Sequence, residues 1–287
     1  MSLPDDLALR DATMDDYAGI AAMREEVGWD VTPWALRAVI GQTDARCVVA
    51  EAADGTLAGA GSGIMYGPMG FVGNMVVAEA HRRRGVGSAV LEAVGDYLAD
   101  AGCVRLELNA TSDGRPLYER HGFASVGTSR VARVPRSATL ASAPGTTIRT
   151  ATATDIDALA AYDRARFGGD RRRILGIVVE GGHHTCLVAE RDGEIVGYGG
   201  LRADSARIGP FLADEPPIAG AILADAFARS PEVDELRLNL PPGNHGGEAW
   251  LRSLGIAVET WDGRMARGRD LPKRDEAIYG MAVGALG

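Results

Sequence analysis

Apolar residues along this chain change their spacing from every second position to steps of three and four and back again, which marks out alternating strands and helices. In the first half, runs at 46–51, 57–65 and 70–77 predict three strands, with Asp54-Gly55 as a hairpin turn between the first two. Over 85–101, Val86, Val90, Leu91, Val94, Tyr97 and Leu98 fall on one helical face, and Gly102 is placed to stop that helix. A strand at 105–109, a short helix at 115–121 and a closing strand at 124–133 follow. A first helix is expected to begin near Asp15, where an acidic or hydroxyl side chain can cap free amides. The predicted order is β-α-β-β-β-α-β-α-β, an α/β unit on a mixed sheet.

The pattern then repeats. Leu9-Arg10-Asp11-Ala12-Thr13 with Asp16 returns as Ile148-Arg149-Thr150-Ala151-Thr152 with Asp155, and Cys47-Val48-Val49-Ala50-Glu51 returns as Cys186-Leu187-Val188-Ala189-Glu190 at the same displacement. The segment 105–109 is echoed by Leu236-Arg237-Leu238-Asn239-Leu240, and 118–123 by Leu251-Arg252-Ser253-Leu254-Gly255-Ile256. Four echoes in one order indicate a duplication. A Pro-, Ser-, Ala- and Thr-rich stretch at 136–145 reads as the linker, giving expected domains of 1–135 and 146–287. The second copy's first helix is expected near Thr154.

Composition narrows the function classes. The 287 residues suit two domains, and 46% hydrophobic with 24% charged residues is ordinary for a globular protein. No apolar run is long enough to span a bilayer and the start has no signal-peptide pattern, so the expected compartment is the cytoplasm, with no membrane partner. The net charge of −9 argues against nucleic acid as a partner. Cys47, Cys103 and Cys186 have no CxxC spacing and no clustered histidines, so no metal is expected.

The chemistry is concentrated where the 70–77 strand passes through a basic, glycine-containing loop into the next helix, Asn74-Met75-Val76-Val77-Ala78-Glu79-Ala80-His81-Arg82-Arg83-Arg84-Gly85-Val86-Gly87-Ser88. Glycines without side chains, successive amides at a helix start and the positive end of its dipole make an anion site, and the three arginines add charge beside it. The same residues are also consistent with an ordinary strand-to-helix turn with a basic surface. A P-loop would need Gly-Lys-Ser/Thr at the helix start, and no lysine is there. The dinucleotide fingerprint fails at Val90 and at Asn109, where the next strand ends without an acid.

Arg82-x-x-Gly85-x-Gly87 after Met75-Val76-Val77 resembles the acetyl-CoA signature of the GNAT (GCN5-related N-acetyltransferase) superfamily, and Leu117-Tyr118-Glu119-Arg120-His121-Gly122-Phe123 resembles its closing motif. The second half, through Phe167-Gly168-Gly169-Asp170-Arg171 and Arg264-Met265-Ala266-Arg267-Gly268, is similar to the YitH/HolE type. The resemblance implies two tandem GNAT-like domains, each a mixed, mostly antiparallel twisted sheet flanked by helices. It implies an N-acetyltransferase that moves an acetyl group from acetyl-CoA to an amine of a small-molecule acceptor. An acyl-CoA sensor, or transfer of another acyl group or to a protein amine, are the alternatives.

Carried over residue by residue, the resemblance assigns donor binding to Met75, Val76, Val77, Arg82, Arg83, Arg84, Gly85, Val86, Gly87, Ser88 and Asn109. Backbone groups of Met75 and Val77 would pair with the pantetheine arm, and one strand amide would polarise the thioester carbonyl. Tyr118 would touch the cofactor and protonate the departing thiolate, unless it is a packing residue. Glu26, Trp29 and Tyr66 are the acceptor-pocket candidates, with Trp34 beside them. Glu25, Glu26, Asp30 and Glu107 are the carboxylates considered as general base, and none is singled out. His81, His183 and His184 read as incidental. In the second copy, Gly209-Pro210-Phe211-Leu212-Ala213-Asp214-Glu215-Pro216-Pro217 replaces the basic glycine loop with acids and prolines, and Leu251 stands where Tyr118 does. That copy is expected to bind no cofactor and to shape the acceptor pocket, mediate a homodimer or serve a purely structural role.

Overall fold

A computed structural model describes residues 3–29, 33–202, 204–282 and 285–287. The chain forms two compact units. The first contains the residues up to Ser125 together with Met265–Asp270 and 285–287; the second contains Val126–Arg264 and the described part of 271–283.

In the first unit the order is β1 (Leu7–Asp11), α1 (Tyr17–Glu26), α2 (Pro33–Arg37), β2 (Ala45–Ala52), β3 (Leu57–Tyr66), β4 (Met69–Val77), α3 (Val86–Asp100), β5 (Arg105–Ala110) and α4 (Arg115–Arg120). Strands β1 to β4 are antiparallel neighbours in sequence order, and β5 runs parallel to β4. The hairpin at Asp54-Gly55 forms as expected: Gly55 takes φ +86°, and Asp54 Oδ1 accepts from the Thr56 amide at 2.9 Å. Helix α3 begins after Gly85 and ends before Gly102, within a residue of the periodicity. It lies close over β3 because that strand carries glycine at every second position on one face. A Cβ on Gly59 would sit 2.9 Å from Val86, one on Gly61 2.6 Å from Val90, and one on Gly63 2.9 Å from Val94. The valines of α3 thus fill the space that β3 leaves, and with Leu98 they are buried to 1% exposure or less. Burial of this kind contributes roughly 1.5–3 kcal/mol per side chain.

The second unit repeats the plan with β7 (Thr146–Thr150), α5 (Ile156–Phe167), α6 (Arg172–Glu180), β8 (Thr185–Arg191), β9 (Glu194–Arg202), β10 (Arg207–Ala213), α7 (Pro216–Arg229), β11 (Glu235–Leu240) and α8 (His245–Ser253). Ile218 and Ile222 of α7 pack over Gly197 and Gly199 as the α3 valines pack over β3. The repeated N-terminal corner is a matched ion network. Arg10 binds Asp16 at 2.7 Å and Glu51 at 2.6 Å, and Arg149 binds Asp155 and Glu190 at the same two distances. The helices start here in a 3-10 turn capped by Thr13 or Thr152, one or two residues before the expected Asp15 and Thr154. The Asp16 and Asp155 carboxylates accept the amides of these threonines.

The two closing strands are placed differently from the sequence reading. β6 (Ala124–Pro135), expected to end the first domain, pairs antiparallel with β11 from Arg130 to Pro135. Its inward residues Ala132 and Val134 belong to the second unit's core with Leu236 and Leu238. The first unit instead takes in residues 265–268, the end of β12 (Val258–Gly268), beside β5, where the Arg269 amide bonds the Val104 carbonyl at 2.9 Å. Alternation along 124–135 shows which residues face a core but carries nothing about which core. The 136–145 stretch is fixed to the second unit, since Arg136 donates to the carbonyls of Phe227, Ser230 and Val233. No helix among the described residues is long and apolar enough to cross a membrane.

Candidate functional site

The region of interest in the first unit is built by a strand that parts from its neighbour and turns into a helix. β4 pairs with β5 only from Met69 to Phe71, opposite Arg105 to Glu107, although β4 runs on to Val77 and β5 to Ala110. On the other side of β4 the register with β3 shifts: Ala60 opposes Val76 but Ser62 opposes Gly73, so Asn74 and Met75 face one residue. That is a β-bulge, and Asn74 takes φ +54° to make it. The bulge lies on the stretch of β4 that has already left β5, just past the last pair at Phe71. Past β4, the chain makes a short turn over Glu79–His81 and reaches Gly85 at φ +94°, the residue that caps α3. Gly85 has no side chain to offer the helix, and the first inward bond, Ala89 amide to Gly85 carbonyl, leaves the amides of Val86, Gly87 and Ser88 at the open end.

The three arginines divide their work. Arg84 holds both oxygens of Asp6 at 2.8 Å, keeping that carboxyl below its usual range, and also meets Nδ1 of His81 at 3.0 Å. Arg82 donates from Nε to the Val77 carbonyl at 3.1 Å, tying the loop back to the end of β4. Arg83 is exposed, sits at φ +60°, and pairs with no described carboxylate. It is the loop arginine best placed to receive an anion.

The other residues singled out from the sequence fall at different depths. Leu117 of α4 abuts the helix start, 3.3 Å from where a Gly87 Cβ would stand. Tyr118 beside it is buried in the core under α3, edge-on to Phe123 with centroids 6.0 Å apart. Asn109 is half-buried on the stretch of β5 that has left β4. Met75 and Val77 turn their side chains to the α3 face, against Gly61 and Gly87, so their contribution to the gap is backbone. Tyr66 is 1% exposed and its hydroxyl donates to the Leu286 carbonyl at 2.7 Å, so it has no open pocket surface. Glu25 and Glu26 are exposed at the end of α1, Trp29 is half-buried just beyond, and Trp34 is in the core. Glu107 is fully buried beside Arg105 at 3.2 Å. Asp30 lies outside the described residues.

The sequence reading missed Arg24, Ser62 and Asn74, three buried polar side chains joined at the bulge. An asparagine after glycine inside an apolar strand was the available signal, because asparagine tolerates the left-handed backbone a bulge requires.

In the second unit the corresponding gap is filled by the chain itself. β10 and β11 pair only at Arg207 and Arg237. Beyond that, β13 (Ile278–Gly280) lies antiparallel on β10 through Phe211–Gly280 and Leu212–Ile278, and the Met281 amide bonds the Asn239 carbonyl of β11 at 2.9 Å. Tyr279 packs between Phe211 and Trp250, with centroids 5.6 and 5.9 Å away. At the helix start, Pro216 and Pro217 open α7 and Glu215 precedes it, paired with Arg191 at 2.9 Å. Two amide donors are missing there and a carboxylate holds the end that an anion would need. Among the described residues no group of three or more His, Cys, Asp or Glu side chains is placed to hold a metal.

These features agree with what the chain resembles in known proteins. The family model "Acetyltransferase (GNAT) family" matches residues 9–123, and "Acetyltransferase (GNAT) domain" matches residues 159–280. "Uncharacterized N-acetyltransferase YitH" of Bacillus subtilis (strain 168) is 23% identical over 225 residues, 78% of either chain. A Pyrococcus horikoshii protein provisionally named an acetyltransferase superimposes with a TM-score of 0.81 at 23% identity, covering 100% of this chain and 98% of that one. A tandem GNAT protein from the clavulanic acid biosynthesis pathway gives 0.64 at 14% identity, over 93% and 100% of the two chains. The solved structures share the fold, and the two family matches carry the assignment: this chain belongs to the GNAT superfamily, with two GNAT domains in tandem, and is an acyltransferase.

Proposed function

We propose that the first unit transfers an acetyl group from acetyl-CoA to an amine of a small-molecule acceptor. The observation that carries this reading is the parting of β4 from β5 beside an uncapped helix start. The diverging strands offer an extended arm a place between them, and the amides of Val86 to Ser88 with Arg83 offer an anion site to a pyrophosphate. The second unit supports the strand-addition part of the reading from within the same chain, because its own β13 lies in the corresponding gap and bonds the neighbouring strand at Asn239. By that parallel, Asn109 on β5 would offer its backbone to the pantetheine arm.

Transfer then needs three things of this chain. A backbone amide at the bulge would donate to the thioester oxygen as negative charge develops there. Tyr118 would protonate the leaving thiolate. An acceptor amine must arrive neutral or lose a proton to a carboxylate, for which the candidate is buried Glu107, opposite Phe71 where the pairing of β4 with β5 ends, directly or through water. Three cysteines outside any disulfide, two of them buried with thiols pushed up to about 12, fit a reducing cytoplasm.

The test is calorimetric titration of acetyl-CoA into wild type and into Gly85→Val/Gly87→Val, followed by thiol release with a panel of small amines for wild type and Tyr118→Phe. Binding lost in the glycine variant, together with slower thiol release but retained binding in Tyr118→Phe, is the expected result. Absence of binding to the wild type would overturn the reading.

A further inference from the structure

The bulge in β4 is held by a buried relay that begins on α1. Arg24, 7% exposed, donates from Nη1 to Oδ1 of Asn74 at 2.7 Å; Asn74 donates from Nδ2 to Oγ of Ser62 at 2.8 Å; Ser62 Oγ donates to the Gly73 carbonyl at 3.2 Å. Asn74 and Ser62 are 4% and 1% exposed. Both sides of the Gly73–Asn74 step are therefore gripped, one through the carbonyl and the other through the side chain. A trans peptide points its N–H opposite to its C=O. Holding the Gly73 carbonyl toward Ser62 of β3 thus aims the Asn74 amide away from β3, toward the side where β4 has left β5.

Two physical points argue that this is more than packing. Burying a guanidinium is costly, and an apolar trio would hold a sheet at least as well. The relay also supports a left-handed asparagine in mid-strand, a conformation that neighbouring structure must over-determine if it is to persist. Nor is the relay duplicated. At the repeat displacement of 139, Arg24 is answered by Asp163, a residue of opposite sign locked to Arg171 at 2.6 Å and Tyr198 at 2.5 Å, in the copy whose gap is filled.

We propose that Arg24 and Ser62 are positioning residues that act through Asn74 to aim its backbone amide at the thioester carbonyl of the acyl donor. The assignment rests on the acetyl-CoA reading and adds the residues that set the polarising donor.

The test is the carbon-13 resonance of [1-13C]acetyl-CoA bound to the full-length protein, for wild type, Arg24→Met, Ser62→Ala and Asn74→Gly, with thermal melts to confirm folding. Asn74→Gly keeps the left-handed backbone accessible while removing both side-chain bonds. In the wild type the bound carbonyl is expected downfield of the free thioester, as polarisation requires. In Ser62→Ala and Asn74→Gly it should return toward the free position while the dissociation constant stays within about threefold. Thiol release in the presence of an amine should slow by about 10- to 100-fold in the same variants. An unchanged downfield resonance in folded variants would show the relay to be structural only and overturn the proposal. A wild type that binds without any downfield displacement overturns the proposal alone, whereas a wild type that does not bind removes the donor reading as well. Should Arg24→Met fail to fold, the two milder variants decide.

Discussion

The tight seat of α3 on β3 makes Gly61→Ala a sharp test of how the fold holds the candidate site. The added methyl would stand 2.6 Å from Cγ1 of Val90 and against the sulfur of Met75. Carbon atoms in contact prefer about 3.5–4.0 Å, so something must move by about 1 Å. Met75 is half-buried and has three rotatable bonds, so it can swing aside. Val90 cannot, because a valine in a helix keeps essentially one rotamer and this one is fully buried. The helix itself must lift, and its first turn carries the amides of Val86 to Ser88. Overpacking of this kind costs about 1–3 kcal/mol, or very roughly 3–10 °C of melting temperature for a unit of this size. Differential scanning calorimetry and acetyl-CoA titration on the same samples should show both a lower melting temperature and weaker binding. Val90→Ala added to Gly61→Ala should recover part of both losses, because the two positions share one space. A Gly61→Ala protein that melts within a degree of wild type and binds equally well would refute the reasoning.

Three further outcomes follow from other parts of the molecule. Titration should give one acetyl-CoA per chain, since β13 fills the second unit's gap and Pro216, Pro217 and Glu215 close its helix start; two sites of equal affinity would contradict this. Acid should act in two stages. Burial, reinforced by Arg202, lowers the His184 value to about 4 from 6.5, so the unfolded chain takes up its proton first and stability falls by about 3 kcal/mol as pH drops from 6.5 to 4. His184→Gln should flatten that limb in urea titrations. Below it, Asp16 and Asp155 are held under the usual carboxylate range by Arg10 and Arg149, so their contribution, complete above about pH 4, is lost as pH falls through their folded values. Finally, Gly176→Ala on α6 meets open space in an ordinary helical backbone and should stabilise the protein by about 0.5–1 kcal/mol, read as a higher urea midpoint.

Much of this protein is local and therefore legible in its sequence. The spacing of Val86, Val90, Val94 and Leu98 gave the α3 face, Asp54-Gly55 gave its hairpin, and the Arg10-Asp16-Glu51 and Arg149-Asp155-Glu190 residues returned at one displacement because each set closes the same corner. Glycines and arginines before α3 marked an anion site because a helix start has that character wherever it is placed. Partnership over distance was a different matter. Period-two alternation along 124–135 fixes which side chains face inward but is equally satisfied by either sheet, and only packing against Leu236 and Leu238 decided for the second unit. The insertion of Ile278–Gly280 beside β10, the burial of the Tyr66 hydroxyl on Leu286, and the meeting of Arg24 with Asn74 across 50 residues likewise have no local signature. Strand pairing and buried hydrogen bonds are chosen by which surfaces remain open once the cores have formed, and that competition exists only in the folded chain.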